Sequence, residues 1–223
     1  ENMPWYQGST LLYLLETIHI ASDYDLINCR FPVQTVIRPF SDEYHDYRGY
    51  AGRISGGIFK PGDKIMALPS GFTTNIKRID TFEGPVAEAF PPMSVTLLLE
   101  DEIDISRGDM IVRENNVPQV GQDLDVMLVW MNEKILRVGG KYALKHTTKD
   151  LRCLVKEVKY KVDINTLHRN MEDKNVGLNE IARVSLRTTQ PVFYDKYRLN
   201  RITGSVILID EGTNETVGAG MII

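Results

Sequence analysis

Apolar and polar positions alternate with a period of two along most of this chain, the signature of half-buried strands. Phe31, Val33, Thr35 and Ile37 alternate against Pro32, Gln34 and Val36, and the stretch is rich in β-branched residues. Ala51 to Phe59, interrupted by Gly56-Gly57, Ile65 to Leu68, Thr74 to Ile79, Val95 to Leu99 and Met110 to Val112 are further strands by the same criterion. Lys60-Pro61-Gly62-Asp63 has Pro and Gly in the order of a type II turn, Pro setting φ and Gly supplying φ > 0. Beyond Pro118 and Gly121 the alternation resumes: Leu124, Val126, Leu128 and Trp130 on one strand face, Leu154, Val158, Tyr160 and Val162 on another, Leu178, Ala182, Val184 and Leu186 on a third. Ser205 to Asp210 and Val217 to Ile223 complete the set, and polar residues 163–175 read as a connection with one helical turn. Only residues 9–18 break the rule. Leu11, Leu14, Leu15 and Ile18 recur at helical spacing after Ser9 and Thr10, either of which can cap a helix. So short a helix is marginal without something to pack on, so the stripe is expected to lie against a barrel or a neighbouring molecule.

Short strands at this spacing predict an all-β chain of two tandem β-barrels preceded by a short N-terminal helix. The expected divisions are 1–24 for the helical segment, 25–117 for the first barrel and 118–223 for the second. Charge follows the same division. Residues 1–24 carry three acids and no Lys or Arg, residues 25–117 ten basic and 14 acidic side chains, and residues 118–223 sixteen and 13. The chain as a whole is at −4, which weighs against generic nucleic-acid binding. Its longest apolar run, Val126 to Met131, is far too short to span a membrane as a helix. Cys29 and Cys153 stand far apart and outside any metal-ligand spacing, which predicts buried free thiols in a reducing cytoplasm.

Candidate chemistry is sparse. No G-x-x-x-x-G-K-[ST] is present, and the one Gly-Lys pair, Gly140-Lys141, is followed by Tyr142. Asp46-Tyr47-Arg48-Gly49 matches D-x-x-G but reads as a turn between strands. His45 between Glu43 and Asp46 reads as a solvated loop, and Glu100-Asp101-Glu102-Ile103-Asp104 as a strand end without the calcium-loop pattern. No catalytic, cofactor-binding or metal-binding residue is assigned. One charge cluster stands out: Lys141, Lys145, Lys149, Arg152, Lys156, Lys159 and Lys161 face only Asp150 and Glu157, with His146 among them. It is either a contact surface for an acidic partner or for another domain, or the solvated outer face of two strands.

Several long strings resemble one family. Met3-Pro4-Trp5-Tyr6-Gln7-Gly8-Ser9-Thr10-Leu11-Leu12 is similar to the end of the GTPase domain in the large subunits of bacterial ATP sulfurylases. Phe31-Pro32-Val33-Gln34, Arg38-Pro39, residues 46–52, 68–71, 81–84 and 99–109 resemble the second domain, and Asn200-Arg201-Ile202-Thr203-Gly204-Ser205, 207–210 and 216–222 the third. The resemblance implies translational-GTPase architecture, a GTP-binding domain followed by two barrels. It also implies a partner, a smaller catalytic subunit that joins ATP and sulfate into adenosine 5′-phosphosulfate and pyrophosphate while GTP hydrolysis drives the reaction. GTP and Mg²⁺ would then belong to a GTPase domain ahead of Glu1. The expectation for this chain is docking and inter-domain coupling with no bound cofactor and no catalysis of its own. The competing expectation from the same fold is a translation-elongation-factor-like module that binds aminoacyl-tRNA.

Overall fold

The computed structural model describes residues 4–18, 24–39 and 47–223. One helix, α1 (Leu11–Thr17), opens the chain, with the Thr10 side chain accepting the Tyr13 N–H as its cap. No residue of α1 is buried; Leu11, Leu14, Leu15 and Ile18 are 69%, 42%, 65% and 55% exposed. The expected packing of this stripe on a barrel of this chain is therefore not met. Leu12 and Tyr13 are exposed as well, so the helix is apolar nearly all round rather than amphipathic.

Seven strands follow: β1 (Arg30–Ile37), β2 (Gly49–Arg53), β3 (Lys64–Leu68), β4 (Thr73–Thr81), β5 (Gly84–Pro85), β6 (Ser94–Leu99) and β7 (Met110–Arg113). They pair in the order β3-β7-β1-β2-β6-β4, and β3 with β4 closes the ring, so six strands make a barrel with β5 appended to β4. The remaining strands are β8 (Gln119–Trp130), β9 (Lys141–His146), β10 (Lys149–Val162), β11 (Arg169–Asn170), β12 (Ile181–Tyr194), β13 (Ser205–Ile209) and β14 (Thr216–Ile222). Here the order is β10-β12-β8-β14-β13-β9, closed by β10 with β9, with β11 appended to β10. All pairings are antiparallel, and closure removes the open edges that would otherwise invite association. Among the described residues no helix is long and apolar enough to cross a membrane.

Each barrel has its own core. Phe31, Tyr50, Phe59, Ile65, Ile79 and Leu97 fill the first; Leu124, Val126, Leu128, Trp130, Val155 and Val184 are among those that fill the second. The Lys60–Asp63 turn forms as its sequence requires, with Gly62 at φ 88° and the Asp63 N–H on the Lys60 carbonyl at 3.1 Å. Both cysteines are buried and free, and burial pushes the Cys153 thiol up to about 12, so it stays protonated.

Three inward faces differ from the alternation in the sequence. In β1 the register shifts between Val33 and Thr35, so Phe31 and Val33 point inward while Thr35 is exposed and Val36 packs on the core in its place. In β10 shifts at Val155/Glu157 and Val158/Tyr160 put Cys153, Val155 and Val158 inside, leaving Leu154 only half-buried. Tyr160 is covered instead by the guanidinium groups of Arg169 and Arg183. A β-bulge adds a residue and flips the faces beyond it, which strict alternation cannot anticipate. Leu178 lies before β12, exposed, and is no part of that strand's inner face. The 163–175 connection does contain one turn, closed by the Leu167 N–H on the Asp163 carbonyl, together with β11.

Candidate inter-barrel coupling site

Buried polar side chains concentrate at one place, the seam between the barrels. Arg30 starts β1 of the first barrel, and Asp195 follows β12 of the second; their side chains are 3% and 5% exposed. The pair is bidentate, Arg30 Nε to Asp195 Oδ2 at 2.8 Å and Nη2 to Oδ1 at 2.9 Å. Arg30 spends its remaining Nη1 donors at home, on the Cys29 carbonyl (2.9 Å), the Asn116 carbonyl (2.6 Å) and Asn116 Oδ1 (2.8 Å). Asp195 Oδ2 also accepts the Thr203 hydroxyl at 2.8 Å. A guanidinium fork on a carboxylate fixes orientation as well as distance, and full satisfaction of both groups is what makes a desolvated pair tolerable.

The loop 200–204 carries the second tie. Asn200 Nδ2 donates across the seam to the Ser55 carbonyl at 2.8 Å, while Asn200 Oδ1 accepts the N–H groups of Ile202 and Thr203. Gly56 permits this approach: a Cβ there would stand 2.5 Å from the Asn28 carbonyl and 2.8 Å from Asn200 Nδ2. His146, at the end of β9, donates from Nε2 to the Thr203 carbonyl at 2.7 Å. Its burial pushes the imidazole pKa below the usual value against the opposing pull of that hydrogen bond and of Asp195, so the ring is neutral. An apolar strip completes the seam, Leu68, Met110 and Val112 of the first barrel packing with Phe193 of the second. Lys149 lies over the Phe193 ring at 6.0 Å and donates to the Pro191 carbonyl. Burial lowers the Lys149 pKa and raises that of Asp109 facing it.

This arrangement holds two bodies in one orientation. Apart from two members of the basic cluster, His146 and Lys149, the candidates read from the sequence fall elsewhere. His45, Glu43 and Asp46 lie outside the described residues. Arg48 stacks on Tyr50 at 5.5 Å and approaches Asp104 at 3.6 Å. The acidic run is tied down as a strand end: Asp101 accepts the Thr74 hydroxyl, Glu100 the Asn75 amide and the Ile103 carbonyl the Tyr50 hydroxyl. Among the described residues no group of His, Cys, Asp or Glu has the geometry of a metal site. Of the basic cluster, His146 belongs to the seam core and Lys149 to its edge. Arg152 pairs with Glu211, Lys145 with Asp150, Lys161 with Asp173 and Glu180, and Lys156 and Lys159 with aspartates of β8. Sequence reasoning missed Arg30, Asp195 and Asn116. Its one usable signal was the string Asn200 to Ser205, which includes the loop that ties the barrels.

The model for the family described as GTP-eEF1A C-terminal domain-like matches residues 123–223. The chain is 48% identical over 224 residues to the bifunctional enzyme CysN/CysC of Mycobacterium tuberculosis, covering all of this chain and 36% of that protein. It is 49% identical over 226 residues to sulfate adenylyltransferase subunit 1 of Bacteroides fragilis, covering all of this chain and 46% of that protein. The chain thus spans between about a third and a half of the length of these curated relatives. Among solved structures it is similar to Sup35 complexed with GDP, with a TM-score of 0.78 and 17% identity over 99% of this chain and 53% of that one. It is also similar to translation elongation factor SelB from Methanococcus maripaludis in its apo form, with a TM-score of 0.67 and 18% identity over 95% and 44%. Identities this low speak for the shared fold alone.

Proposed function

Because the chain belongs to the family of sulfate adenylyltransferase large subunits, within the translational GTPase superfamily, we propose that its paired barrels serve as the docking and coupling body of that enzyme. In this reading a GTP-binding domain of the full-length protein hydrolyses GTP with Mg²⁺. A smaller catalytic subunit joins ATP and sulfate into adenosine 5′-phosphosulfate and pyrophosphate, in the cytoplasm. The barrels hold the two together and carry the change from one to the other. They take part in no bond-making step and bind no GTP themselves.

The observation that carries this reading is the bidentate, buried Arg30–Asp195 pair with the Asn200–Ser55 tie beside it. Coupling between distant sites needs an element with discrete arrangements that both sites bias, and a hinged tether would dissipate the bias. Two barrels locked by a desolvated ion pair behave as one lever. The test mixes this chain with the small catalytic subunit of a relative and follows the mixture by size-exclusion chromatography and calorimetry. A stable complex, with no heat from GTP on the chain alone, is the expected result. Absence of any complex at micromolar concentration, or saturable GTP binding by the isolated chain, overturns the reading. Tight, steeply salt-dependent binding of aminoacyl-tRNA would support the elongation-factor-like module instead.

A further inference from the structure

We propose that the outer face of the second barrel, over β10, β12 and β8, is a docking surface for an acidic protein. The two bulges of β10 each leave one residue out of register with β12, and both are lysines, Lys156 and Lys159. Bulges re-aim side chains, and these two reach across β12 to aspartates on β8, two strands away. Asp123 receives Lys156 Nζ at 3.2 Å and Arg187 Nη1 at 2.5 Å. Asp125 receives Lys159 Nζ at 3.0 Å and the Arg183 guanidinium through both Nε and Nη2. Two carboxylates thus serve four cations, each aspartate shared by two. The side chains involved are about a third to a half exposed, so the surplus positive charge faces solvent.

Arg169 enlarges the surplus. It stacks on Tyr160 at 4.8 Å and has no carboxylate partner among the described residues. Counting the exposed Glu157 of β10, the face sets five cations (Lys156, Lys159, Arg169, Arg183 and Arg187) against three acids, an excess that complements a carboxylate-rich surface. An RNA strand fits it less well. The one aromatic ring there, Tyr160, is 8% exposed beneath two guanidinium groups and offers no stacking platform. This inference stands whether or not the acidic partner is the small catalytic subunit.

Fluorescence anisotropy at low salt, with a labelled poly-glutamate peptide and a single-stranded RNA of equal charge as probes, tests it on the whole chain. The peptide is expected to bind saturably and more tightly than the RNA. The variant carrying R169E and R187E should bind it about tenfold more weakly, since each exposed pair contributes modestly. Asp123→Asn should strengthen binding a few-fold, because it releases Lys156 and Arg187; a merely structural aspartate would not act in that direction. Unchanged melting of all three proteins confirms that they are folded. No saturable peptide binding, tighter binding of RNA, or an affinity that neither charge change moves, overturns the proposal.

Discussion

The seam between the barrels and the outer face of the second barrel are both built from Arg or Lys beside Asp, yet they do opposite things with those charges. At the seam Arg30 and Asp195 are almost fully withdrawn from water, and each side-chain nitrogen and oxygen of the pair has a hydrogen-bond partner within the protein. On the face, Arg187 and Asp123 are about half exposed, and cations outnumber acids. Burial converts a charge pair into a commitment, because either partner left alone in the seam is an uncompensated ion. Exposure leaves the same chemistry weak, screened and open to exchange with a partner. One region fixes the geometry of the molecule, and the other remains available for recognition.

The largest effect should come from breaking the seam pair on one side. Asp195→Ala strands the Arg30 guanidinium and is expected to cost about 3–5 kcal/mol, read as a drop in melting temperature on the order of 10 °C. Replacing both partners, Arg30→Met with Asp195→Leu, should recover much of that loss, since no orphaned charge remains. If the double variant melts no higher than Asp195→Ala, the pair's cost is not one of orphaned charge.

Asn200→Ala should come next, at about 1–3 kcal/mol in urea titration, because it leaves the Ser55 carbonyl and the N–H groups of Ile202 and Thr203 without their partner. Acidification should act through His146 on a smaller scale. The folded ring resists protonation while the unfolded ring titrates near 6.5, so the unfolded state binds more protons as pH falls below that value. Stability then declines at up to about 1.4 kcal/mol per pH unit until the folded ring itself titrates. A His146→Gln variant should show a flatter stability profile between pH 6.5 and 5 than the parent.

The smallest effect belongs to the outer face. Lys156→Ala should change stability by less than about 1 kcal/mol, and that difference should vanish in molar salt. A loss as large as that of Asp195→Ala would erase the contrast between the two regions.

Most of the fold is legible in the alternation of residues, because strands in a closed barrel have one wet face and one dry face. Leu124, Val126, Leu128 and Trp130 all lie inside as the pattern requires. The pattern fails where backbone geometry departs from the regular ladder. The bulge after Val33 exchanges Thr35 for Val36, and those of β10 hide Leu154's true position and aim Lys156 and Lys159 outward. A bulge is one residue of extra backbone and carries no obligatory composition, so these residues do not announce it. The seam was less legible still. Arg30 and Asp195 stand 165 residues apart, and nothing local to either marks it as one half of a pair. The α1 leucines illustrate the converse: their spacing correctly indicates a helix, but no local pattern can say which surface covers it.

Scanning calorimetry of the unaltered chain tests the central claim, that two barrels act as one body, most directly. A single endotherm whose calorimetric and van't Hoff enthalpies agree is the expected result, because melting either barrel alone would strand Arg30 or Asp195. Two resolved transitions, one for each barrel, would contradict it.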